Sequence, residues 1–309
     1  MNRNTEYYST PGKLLITGEY LILEGAQGLA VPLKYGQDMT ILHSGDSKSE
    51  LIWDSVHPKG TWFKGKFSIP DFNIIESNDN EFASRLIKIL QAAKELNQEF
   101  LTSGLYKVKT VLDFNPEYGF GSSSTLITNL ARWAKADAFQ LQKQTFKGSG
   151  YDVACGLEAK PILYKLKEEK PVYRPVNFNP VFSKNIFFVY LGKKQHSKDS
   201  INKFYSASSF TRKDIDSINE ITKGIVKTDS LDSFEELLKE HEKIMSAVLK
   251  TATIQKQYFS FYNQGIVKSL GAWGGDFVLI TSGENPEVFK KEMNMRGFPV
   301  VYTYDELLL

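Results

Sequence analysis

Tyr118-Gly119-Phe120-Gly121-Ser122-Ser123-Ser124-Thr125 is the stretch on which the fold turns. Before it, Tyr106, Val108, Thr110 and Leu112 alternate with Lys107, Lys109 and Val111, which predicts a strand over 105–114 that stops at Asn115-Pro116. After it, Leu126, Ile127, Leu130, Trp133 and Ala134 recur at helical spacing, with the serines at 122–124 placed to cap the helix. Such a strand, glycine turn and helix could hold phosphate. Glycines let the backbone approach an anion, the first helical turn offers unpaired N–H groups and a positive dipole end, and serine hydroxyls can donate or ligate a metal. A capped helix after a tight turn reads equally from the same residues. A Walker A loop does not, because no Gly-Lys-Ser/Thr follows.

Working outward, 13–16 and 28–32 read as short apolar strands joined by Gly18, Glu19 and a turn at 25–28. Residues 37–70 suit twisted antiparallel strands around Trp53 and Trp62, and 81–96 carries Phe82, Leu86, Ile89, Leu90 and Ala93 on one helical face. The Lys-, Glu- and Pro-rich interval 165–184 reads as an inter-domain crossing. Beyond it come a strand at 186–191, two or three helices within 198–265, a strand at 277–281, a helix at 286–295 and a strand at 300–303, a ferredoxin-like order. The class is α+β, with domains expected over 1–175 and 176–309.

Composition narrows the function. The 309 residues carry 38 basic and 36 acidic side chains, a formal charge of +2, which disfavours a nucleic-acid binder relying on bulk charge. Cys155 stands alone, so no internal disulfide or cysteine-pair zinc site forms, and a reducing cytoplasm is expected. His43, His57, His196 and His241 are scattered and make no HExxH pair. No stretch approaches the roughly 18 apolar residues of a spanning helix, so no membrane association is expected.

Two further stations are rich in small residues. Lys147-Gly148-Ser149-Gly150-Tyr151-Asp152-Val153-Ala154 presents an acid just beyond a turn, where an Asp by itself reads as a helix cap. Lys268-Ser269-Leu270-Gly271-Ala272-Trp273-Gly274-Gly275-Asp276 leads into an apolar strand and by itself reads as a tight hairpin. With Pro11-Gly12-Lys13-Leu14-Leu15-Ile16-Thr17-Gly18-Glu19-Tyr20 ahead of them, the stations fall in one order over about 10–281 that resembles the GHMP kinases. The family's middle motif, Pro-x-x-x-Gly-Leu-Gly-Ser-Ser, is matched by Pro116 and 119–123, with Phe120 for Leu and one residue fewer in the spacing.

The resemblance implies the GHMP kinase fold, an N-terminal domain like ribosomal protein S5 domain 2 and a C-terminal ferredoxin-like domain, with ATP and the acceptor held in the cleft between them. It implies that Gly119, Phe120, Gly121, Ser122, Ser123 and Ser124 wrap the phosphates of ATP, that Ser123 ligates Mg2+, and that Lys13 and Asp152 are catalytic at one centre. Glu19, Tyr20, Gly274, Gly275 and Asp276 are expected on the acceptor, as are Lys193, Lys194 and Ser197 of the basic loop 191–200. Mevalonate kinases have a magnesium-binding Glu ahead of the catalytic Asp, where this sequence has Leu141, with Gln142 and Gln144 nearby.

Gly-Glu-Tyr at 18–20, Gly-Ser-Gly-Tyr-Asp at 148–152 and Gly-Gly-Asp at 274–276 resemble the phosphomevalonate kinase branch. The compact length and Gly-Leu-Ala-Val-Pro at 28–32 suit a mevalonate kinase. The expected partner is therefore a small-molecule acceptor bearing a carboxylate or phosphate, and the protein a monomer or homodimer. A sugar kinase of the same family and a non-catalytic nucleotide- or RNA-binding module are the alternatives. A serine hydrolase is not, since no Gly-x-Ser-x-Gly elbow accompanies the serines.

Overall fold

The computed structural model describes residues 4–44, 48–146, 148–193, 201, 204–206, 209–271, 273 and 275–309. The chain divides into two compact units, one of 1–12, 35–116 and 120–157, the other of 13–34, 117–119 and 158–309. Two long strands, β1 (Asn4–Thr17) and β2 (Gly28–Ser44), contribute residues to both. Both exceed the short strands expected at 13–16 and 28–32.

In the first unit, β3 (Glu50–His57) and β4 (Gly60–Ser68) form an antiparallel hairpin, with β5 (Ile74–Ser77) beyond β4 and β6 (Leu105–Leu112) parallel to β3 and antiparallel to the second half of β2. Side-chain alternation decides which face is buried. Leu51 and Trp53, Phe63 and Phe67, and Val108 point inward, where α1 (Asn80–Leu96), α2 (Ser122–Ala134) and α3 (Ala138–Thr145) cover them with Leu86, Leu90, Ile127, Leu130 and Leu141. Each such side chain contributes roughly 1.5–3 kcal/mol on burial. Buried polar groups also fix α2 to the strands: Thr10 Oγ1 donates to Asn129 Oδ1 at 2.7 Å, Asn129 Nδ2 to the Gln37 carbonyl at 2.8 Å, and Thr125 Oγ1 to Gln37 Oε1 at 2.9 Å. The last helix of this unit is α4 (Tyr151–Glu158).

In the second unit, the first half of β2 pairs with β7 (Ile162–Lys167), which pairs with β8 (Lys170–Pro175). The interval expected to cross between domains is therefore largely a hairpin. Lys165, Lys167 and Lys170 lie on its strands and Glu168 and Glu169 form its turn, a charged composition that reads like a linker. The remaining strands among the described residues are β9 (Ile186–Tyr190), β10 (Val267–Ser269), β11 (Phe277–Thr281) and β12 (Val301–Thr303), all antiparallel in the order β10-β11-β9-β12. That is a ferredoxin-like order, with β10 added to the three strands read from the sequence. Among the described residues the helices here include α5 (Arg212–Lys227), α6 (Leu231–Leu249), α7 (Ile254–Tyr258), α8 (Pro286–Met295) and α9 (Tyr304–Leu307). Phe187, Val189, Val278 and Ile280 pack with Phe289 and Met293 of α8 to form the core. No helix among the described residues is long and apolar enough to cross a membrane.

Candidate functional site

Gly121 is the N-cap of α2, in a left-handed conformation (φ 91°, ψ 40°) that glycine tolerates best. The helix starts at Ser122, so the serines occupy its first turn instead of capping it. Ser124 is buried and donates its hydroxyl to the Gly121 carbonyl at 2.9 Å, which stiffens the turn. Ser122 is half-buried and Ser123 exposed, and a glycine cap brings no side-chain acceptor to the first-turn N–H groups. Phe120, expected on the nucleotide, is wholly buried between Tyr35 and Phe114, with ring centroids at 6.3 and 5.5 Å. Its side chain anchors the turn, and only its backbone can face a ligand.

Asp152 lies in the first turn of α4, half-buried, its Oδ1 accepting from the Val153 N–H at 3.0 Å and from Gln142 Nε2 at 3.3 Å. Gln142 was noted only as a neighbour of the missing metal ligand, and the structure gives it a part in holding the acid. Leu141 points into the core. Among the described residues no group of three or more His, Cys, Asp or Glu side chains could hold a metal.

In the second unit, three separate stations meet. Lys13 Nζ donates to the Gly119 carbonyl at 3.0 Å. Gly119 has φ +68°, and the carboxylate of Asp276 lies so close that a Cβ there would be 2.3 Å from Oδ2. Asp276 itself holds φ 56°, fixed by its N–H on the Lys193 carbonyl and its own carbonyl on the Leu191 N–H, both at 2.8 Å. A non-glycine residue in this region is strained, and here the strain places a carboxylate on a glycine backbone. Tyr118 packs on Tyr190 and Phe277, at 4.9 and 5.6 Å between ring centroids, holding 117–119 in place. Gly119→Ala is expected to cost about 1–3 kcal/mol in denaturant unfolding, through steric contact and a disfavoured backbone. An unchanged midpoint would mean that Asp276 does not sit there.

The other expected acceptor contacts divide. Gly275 is buried, and Lys193 extends its ammonium over the Tyr258 ring, 5.3 Å from the centroid. Tyr20 accepts the Trp273 N–H on its hydroxyl at 2.8 Å and stacks on Phe204. Lys194, Ser197 and Gly274 fall outside the described residues. Glu19, expected on the acceptor, is only 1% exposed and is ion-paired with Lys268, which is itself fully buried. His241 and Glu242 complete this cluster. None of Lys268, His241 and Glu242 was singled out for it in the sequence. The available signal was a charged Lys268 in the otherwise small and apolar run Val267 to Leu270.

No protein-family model matches the sequence, and no curated protein matches it. Solved structures do. The mevalonate kinase of Methanococcus jannaschii is 16% identical, covering 97% of each chain at a TM-score of 0.71. The Streptococcus pneumoniae phosphomevalonate kinase in complex with phosphomevalonate and AMPPNP is 15% identical, covering 96% of this chain and 99% of that one, at 0.72. The Lactococcus lactis galactokinase complexed with galactose is 13% identical, covering 97% of this chain and 93% of that one, at 0.66. At these identities the likeness is one of fold.

Proposed function

We propose that this chain, which has the GHMP kinase fold, is an ATP-dependent phosphotransferase whose acceptor is 5-phosphomevalonate or mevalonate. The observation that carries the reading is the meeting of Lys13, Gly119 and Asp276, residues from three distant parts of the sequence. A structural hairpin or a capped helix has no need of it. The first-turn N–H groups of α2 bind the nucleotide phosphates, aided by the helix dipole. When bound, magnesium-ATP supplies the phosphoryl group and neutralises its charge. Lys13 adds positive charge beside the acceptor. Asp152, oriented by Gln142 and the Val153 N–H, aligns the acceptor and takes a proton from it if it is a hydroxyl.

The test is ADP release by the purified protein with magnesium-ATP and, in turn, mevalonate, 5-phosphomevalonate and galactose. Turnover of galactose alone would move the assignment to a sugar kinase, and turnover of none would remove the kinase reading. Ser123→Ala is expected to leave folding intact and to weaken magnesium-dependent turnover, since the hydroxyl is exposed and serves no structural contact found among the described residues. Unchanged nucleotide affinity and rate in that variant would return the segment to a capped helix.

A further inference from the structure

Glu19, His241, Glu242 and Lys268 form a buried polar cluster within the second unit. Lys268 Nζ donates to Glu19 Oε1 and to the Ser269 carbonyl, and stands 3.8 Å from Glu242 Oε1. Glu242 Oε1 also accepts the Ser269 N–H at 3.1 Å. The His241 imidazole sets its Nε2 3.1 Å from the Gly18 nitrogen and 3.2 Å from Glu19 Oε2. Burial and the nearby Lys268 hold its pKa well below the ordinary value. Two carboxylates thus share one ammonium in a core where no participating side chain is more than 3% exposed. One ammonium balances one carboxylate, and a second bare charge there has nothing to offset its desolvation. Glu19 holds the ammonium through Oε1 and stands 3.2 Å from His241 Nε2 through Oε2, whereas Glu242 lies 3.8 Å from the ammonium; burial raises the pKa of both carboxyls, and the closer pairing of Glu19 leaves Glu242 as the neutral acid.

The cluster also joins two functional segments. Gly18 and Glu19 immediately precede Tyr20, whose hydroxyl accepts the Trp273 N–H. Lys268 and Ser269 belong to β10, which leads through Trp273 to Asp276. We propose that Glu242, as the neutral acid, is a positioning residue that holds β10 to the 18–20 turn through Lys268 and Glu19 and thereby sets the place of Trp273 and Asp276. Its consequence for acceptor binding rests on the kinase reading. The positioning itself does not.

The groups facing Glu242 are Lys268 and the Ser269 N–H from β10, Glu19 from the 18–20 turn and the Ile254 N–H from α7, while His241, next to it on α6, contacts Glu19. Burial pushes its pKa up to about 8, with Glu19 adding to the rise and Lys268 and the two N–H groups opposing it. The folded state therefore keeps a proton that the unfolded chain releases from about pH 4.5 upward. This contribution to stability is fully present below that pH and is lost as pH rises to about 8.

The experiment compares the intact protein with Glu242→Gln, reading the infrared carbonyl band of a protonated carboxylic acid and the pH dependence of Trp273 emission, isolated by subtracting Trp273→Phe. The wild type is expected to show the acid band at neutral pH, fading together with a change in emission at a midpoint near 8. Glu242→Gln is expected to lack both transitions. Where an acceptor is turned over, its KM should rise several-fold above that pH in the wild type and stay level in Glu242→Gln. Absence of the band at neutral pH, its persistence in Glu242→Gln, or an unchanged emission titration in that variant each overturns the proposal. Should Glu242→Gln not fold, Glu242→Asp is read in its place, and an acid band and emission midpoint unchanged from the wild type overturn the proposal. If no acceptor is turned over but both signals titrate as expected, the kinase reading fails and the positioning stands.

Discussion

Lys268→Met is expected to lower the unfolding free energy by about 3–5 kcal/mol at neutral pH, the range for removing one partner of a buried ion pair. Met matches the aliphatic stem, so little cavity opens and the loss is electrostatic. Lys268 is fully buried and its ammonium is the positive charge in contact with Glu19. Without it the Glu19 carboxyl, already pushed up by burial, rises further in pKa. The variant then binds a proton on folding, and its deficit is smallest at acid pH and grows as pH rises through the carboxylate range. Lys268→Met combined with Glu19→Gln should recover much of the loss, because the remaining amide carries no charge. The measurement is chemical denaturation of the three variants at several pH values. A Lys268→Met protein within about 0.5 kcal/mol of wild type would show that the pair does not form, and Glu19 would again be available as an acceptor contact.

That expectation was invisible in the sequence for a physical reason. Glu19 follows a glycine in a motif whose resemblance puts the acid on the acceptor, while its partners lie more than two hundred residues away on α6 and β10. Only tertiary packing reveals that the charge is internal. Local order was far more legible. Alternation over 105–114 gave β6, which ends two residues earlier, helical spacing gave α1 and α8 to within a residue or two, and the order of elements after 186 gave a ferredoxin-like unit with three of its four strands, β10 being too short to read. The interval 165–184 misled because a hairpin with charged residues on its strands and at its turn has the composition of a linker. Phe120 misled in another way: its place in a phosphate-loop motif says that its backbone is near a ligand, and not that its ring is.

Asp152→Asn is expected to reduce kcat by about 10²-fold or more if the acceptor is a hydroxyl, because that variant removes a general base. The structure sharpens the substitution. The Val153 N–H and Gln142 Nε2 both donate to Oδ1, so the Asn amide turns its oxygen toward them and its NH2 toward the place of Oδ2. Geometry is kept, and a donor stands where the base stood. For 5-phosphomevalonate the demand differs, since a phosphomonoester with a second pKa of about 6 is already mostly dianionic at neutral pH and has little proton to lose. The loss should then stay within about tenfold, with Lys13 contributing more by offsetting charge between two phosphates. The residues at 148–152 and 274–276 that resemble the phosphomevalonate branch favour this milder outcome. Measuring kcat and KM for both acceptors over a range of pH separates the roles. A large loss in kcat with mevalonate and a small one with 5-phosphomevalonate identifies proton acceptance. Equal losses on both make Asp152 a positioning group, and no loss on either removes it from the reaction, leaving the Gln142 contact as part of the α3 to α4 packing.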